Sequence, residues 1–103
     1  MDGRLPGVLT EIRSLLDAPA NAEPPPRAVV EDTLTNGYAQ ALSIEGERLR
    51  IERRLRALLR AEPGPSARAR MEEIAELTRL LAGVDRELVG LRALLATLRA
   101  QAL

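Results

Sequence analysis

Apolar positions near the C-terminal end of the chain follow one rule. Ile74, Leu77, Leu81, Val84, Leu88, Leu91, Leu95, Leu98 and Ala102 succeed one another in alternating steps of three and four residues. Side chains so spaced share one stripe of an α-helix, in the a and d positions of a heptad. Upstream, Val30, Leu34, Gly37, Ala41, Ile44, Arg48, Ile51, Leu55 and Leu58 keep the same alternation, with Arg48 as the only charge in the stripe. A shorter set, Leu5, Val8, Leu9, Ile12, Leu15 and Leu16, has helical spacing near the N-terminus. No stretch alternates apolar and polar residues over the length of a strand, so the predicted fold class is all-α.

Punctuation residues divide these stripes. Residues 1–18 form an N-terminal amphipathic arm, with Pro6 suited to a first helical turn. Residues 19–26 are a Pro-rich linker. Residues 27–103 are expected to be a coiled-coil-like antiparallel helical hairpin, with helices at about 27–61 and 66–103. The turn is Glu62-Pro63-Gly64-Pro65-Ser66, with Ser66 a candidate N-cap. Glu31 and Asp32 suit the start of the first long helix through the helix dipole. Asn36-Gly37 is a turn-type pair that either kinks this helix or marks its beginning.

Apolar residues also flank both stripes. Tyr38, Leu42, Leu49 and Leu59 widen the first, and Leu80 and Leu94 fall at g positions of the second. A bare hairpin covers one seam per helix and leaves such leucines in water. The arm folding back into a three-helix bundle is one remedy; two hairpins pairing as a four-helix bundle is the other. The dimer is the expectation, because an arm of roughly 20 Å is less than half the length of helices of roughly 52–56 Å. Leu42, Leu49, Leu80, Leu88 and Leu94 are the expected dimer or core seam. Gly83 and Gly90 share a c-position face, where they either permit close helix approach or sit neutrally on the surface.

Composition narrows the chemistry. The chain of 103 residues has no His, Cys, Trp, Phe or Lys, and Tyr38 is its one aromatic residue. General-base chemistry by His, thiol chemistry and zinc sites are thereby removed, as are platforms for stacking bases. Leu and Ala, at 19 and 16 copies, must supply the core. No apolar run approaches a membrane span and the first residues do not read as a signal peptide, so a cytoplasmic protein is expected.

Three charged clusters are candidates for function. Arg48 has Glu45 three residues before it and Glu52 four after. Such a trio in an apolar arc is either an interaction and specificity layer or a solvated rim. Residues 45–60 hold six arginines against three glutamates, a net charge of +3, whereas residues 1–44 hold three arginines against six acids. The arginines are scattered over several heptad positions, and Glu47–Arg50 and Glu52–Arg56 are expected pairs, so a solvated face is favoured over a nucleic-acid site. The acidic arm is a candidate to lie along this patch.

Glu72-Glu73-Ile74-Ala75-Glu76 resembles the E-E-x-x-E element of the MazG-like all-α nucleotide pyrophosphatases. The resemblance implies Glu72, Glu73 and Glu76 as magnesium ligands that bind phosphates and activate water. The family's E-x-x-D on a following helix is absent. In length and architecture the chain is also similar to the type VII secretion substrates, but their W-x-G and Y-x-x-x-D/E motifs are missing. The expectation is therefore a non-catalytic protein–protein interaction module, needing no cofactor, with a second copy or another protein as partner. A metal-dependent nucleotide hydrolase and an Arg-mediated nucleic-acid binder are the alternatives.

Overall fold

The computed structural model describes residues 4–19, 21–62 and 64–102. Pro63 of the expected turn lies outside these. All regular structure among the described residues is helical: α1 is Leu5–Leu16, α2 is Arg27–Arg60 and α3 is Ala67–Ala102. The chain divides into two compact units, one of Met1–Ser43 with Val89–Leu103 and one of Ile44–Leu88.

The first unit contains α1 and one end of each long helix. Pro6 occupies the first turn of α1, where its missing N–H is no loss. The Asp17 N–H donates to the Arg13 carbonyl at 2.8 Å and ends the helix. Leu5 and Ile12, two turns apart, are buried, and Ile12 is fully so. Arg4, just before α1, and Gly7, Val8 and Glu11 of α1 border a cleft with Asn36, Ala39, Gln40 and Ser43 of α2, while Leu15 lies with Val30 and Leu34. The arm thus runs antiparallel to α2 within its own chain. Val30, Thr33, Ala41, Leu91, Leu95 and Leu98 are buried in the same unit, as the core of three helical segments.

Asn36-Gly37 neither kinks nor begins a helix; α2 runs through it from Arg27. The reason is packing. A Cβ built on Gly37 would collide with Cδ2 of Leu95 and stand 3.3 Å from its Cγ, so Gly37 makes room for a close approach of α3. Gly90 has nothing within 4 Å of such a Cβ, and Gly83 only the tip of Arg86 at 3.9 Å. Neither is a point of close helix approach; Gly90 is exposed and Gly83 half-buried. The start of α2 at Arg27, as expected, nevertheless puts Glu31 and Asp32 beyond its first turn, which carries no acid. Glu31 instead accepts from Arg27 Nε at 2.8 Å.

The second unit is two helical segments. Ile44, Leu58, Val84 and Leu88 are buried, while Ile51, Leu55, Ile74, Leu77 and Leu81 are half-buried. Pairing of Arg54 with Glu73 and of Arg48 with Asp85 shows the segments to be antiparallel. Arg70 Nη1 donates to the carbonyls of Ala61 at 2.7 Å and Glu62 at 2.9 Å, just past the end of α2. Terminal carbonyls lacking helical partners are common sites for such a cation. Ser66 contributes to the α3 start through its carbonyl, which accepts from the Arg70 N–H at 3.0 Å.

Candidate interaction surface

Charged residues of the second unit sort into those used within it and those turned outward. Arg48 Nε lies 3.0 Å from Glu52 Oε1 and 2.9 Å from Asp85 Oδ1, bridging α2 to α3. The Arg48 side chain is 44% exposed, so this ionic layer sits at the rim of the apolar seam, where water screens it. Glu45 is half-buried and also engaged. Sequence spacing found Glu52 but not Asp85, which lies a whole hairpin away. Its one signal was an acid at an e position of α3, adjacent to the seam.

Arg54 binds Glu73 through two bonds, Nε to Oε2 at 3.1 Å and Nη2 to Oε1 at 2.9 Å. This fork-to-fork geometry fixes the register of the two helices more firmly than a single contact would. Hydrogen bonding from Arg54, opposed by burial and aided to a lesser degree by the Arg54 charge, holds the Glu73 carboxyl below the usual carboxylate range. The same bonds hold the Arg54 guanidinium more firmly protonated.

The Glu72, Glu73 and Glu76 set does not converge on a common point. Glu73 faces Arg54, Glu76 pairs with Arg79, and Glu72 lies 3.6 Å from Arg68. Among the described residues no group of three or more His, Cys, Asp or Glu side chains is placed to hold a metal ion. Nor is any helix among them long and apolar enough to cross a membrane.

Of the expected seam leucines, Leu88 is core and Leu94 half-buried. Leu42 is 68% exposed, Leu49 42% and Leu80 45%. Leu59 and Met71 are open as well. Both occupy e positions beside the turn, on the side where antiparallel helices bring e next to e.

A cavity of about 450 Å³ in the first unit is lined by Leu15, Pro24, Val30, Leu34 and Leu98, with the Arg27–Glu31 pair contributing to its wall. The acidic arm is packed beside residues 30–43 of α2 within the first unit. No family model matches the chain, and no curated protein or solved structure shows significant similarity to it.

Proposed function

We propose that this protein is a non-catalytic interaction module, an adaptor, regulatory subunit or scaffold that presents helical surface to another protein chain. One observation carries the reading. In the unit of residues 44–88, Leu49, Leu59, Met71 and Leu80 are all exposed by 42% or more, beside a seam whose central residues are themselves only half-buried. Large apolar side chains left open along a two-helix seam are what a partner helix covers. The partner proposed first is a second copy, in a four-helix bundle that encloses these leucines. Sedimentation velocity of the full chain is expected to give a dimer whose dissociation constant rises when Leu49 and Leu80 are both changed to Gln. A concentration-independent monomer would overturn the dimer.

A further inference from the structure

The arginines of residues 48–60 looked scattered along the sequence, and pairing sorts them. Arg48 is taken by Glu52 and Asp85, and Arg54 by Glu73. Both point toward α3. Arg50, Arg53 and Arg60 are exposed and make no ion pair within 4 Å among the described residues, and Arg56 reaches Glu52 only at 3.7 Å. The expected Glu47–Arg50 pair does not form; the Arg50 guanidinium instead folds back near Gly46.

At about 100° per residue, these four arginines fall within an arc of roughly 120° on α2. The remaining residues of that arc are Gly46, Leu49 and Ala57, and none is acidic. From Arg50 to Arg60 the row is about 15 Å long. Most other described arginines of the second unit have a carboxylate or carbonyl partner, so this row differs from the balanced charge around it.

From this row we infer that the outward face of α2 between Gly46 and Arg60 docks an acidic amphipathic helix of a partner protein. Glutamates at i, i+3, i+7 and i+10 on such a helix repeat at the spacing of Arg50, Arg53 and Arg60. Each guanidinium fork then meets a carboxylate that it can hold by two bonds. Leu49, 42% exposed at one edge of the row, selects a polypeptide over a phosphodiester backbone, because an apolar side chain of the partner can cover it. The single aromatic residue of the chain also gives stacked bases nothing to rest on. This inference rests on the module reading only in taking the partner to be a protein; it does not require the dimer, with which the acidic helix competes for Leu49.

The test is fluorescence anisotropy of the full chain with three labelled probes. These are a helical model peptide carrying glutamates at that spacing with leucines between, the same peptide with lysine for glutamate, and a mixed-sequence DNA duplex. The acidic peptide is expected to bind at low salt and to weaken as salt rises. The double variant Arg53→Glu/Arg60→Glu should lose about tenfold or more in affinity and acquire binding to the lysine peptide. Arg86→Glu/Arg99→Glu, with the same change in net charge elsewhere on α3, should keep acidic-peptide affinity within about threefold. Circular dichroism confirms that the variants remain helical. Absence of acidic-peptide binding, equal loss in both double variants, or preference for the duplex would each overturn the inference. A dimer by sedimentation that ignores the peptide would remove this inference alone; peptide binding by a monomer would remove only the dimer.

Discussion

The two units solve one problem with different means. In the first, three helical segments surround a core in which Ile12, Leu91 and Leu95 are at most 1% exposed. In the second, two segments share a seam whose central residues Ile51, Leu55, Leu77 and Leu81 stay half in water. The second unit adds ionic and polar contacts between its helices: Arg48 and Arg54 reach across to α3, and Arg70 closes the turn end. A third helix supplies burial, and where there is none, ionic pairs fix register without supplying comparable burial.

Core truncation should separate the units most. Ile12→Ala removes a fully buried side chain and is expected to cost about 3–4 kcal/mol. Leu77→Ala, at a half-buried position, should cost about 1–2 kcal/mol. Urea denaturation monitored by circular dichroism measures both, and equal losses would break the contrast.

Glycine substitution gives a smaller effect with a sign. Gly37→Ala gains up to about 1 kcal/mol in helix propensity but forces the buried Leu95 aside, for a net loss of about 1 kcal/mol. Gly90→Ala meets open space, so only the propensity gain remains, a stabilisation of about 0.5–1 kcal/mol. Thermal melts of the two variants should move in opposite directions.

The two long seams, the turn region and the all-helical class could be read from heptad spacing, because a stripe of apolar residues at steps of three and four has one economical solution. The arm's place could not. Its length argued against covering two long helices, yet in its own unit it covers only residues 30–43 of α2 and one end of α3. Length bounds the surface a helix can shield, not whether a part of the seam is enough. Asn36-Gly37 misled for a related reason. Turn propensity is local, while the glycine answers to Leu95, far along the chain. At the candidate surface, composition exposed the basic stretch, but only knowing which arginines α3 takes up made the outward row visible.

The smallest expected effect tests the ionic half of the comparison. Because the folded-state pKa of Glu73 lies below its unfolded value, its contribution to stability is present above the ordinary carboxylate range. It is lost as pH falls through the lowered folded value. In Arg54→Gln the Glu73 midpoint, followed by carboxyl carbon NMR, should rise toward that ordinary range. An unchanged midpoint would mean that the fork seen here is not kept in solution.

The Arg70 contact also bears on the order in which structure forms. It joins residues nine apart in sequence, whereas Arg54 and Glu73 are nineteen apart. Gly37 and Leu95 lie much farther apart along the chain than either pair. Loop closure costs more entropy as the loop lengthens, and a loop of about ten residues closes in roughly 10–100 ns. The turn therefore forms first and the helices pair outward from it, each contact shortening the loop left for the next. Arg70, modest as a contributor to final stability, stands at the start of that sequence, so its loss should slow folding more than it speeds unfolding.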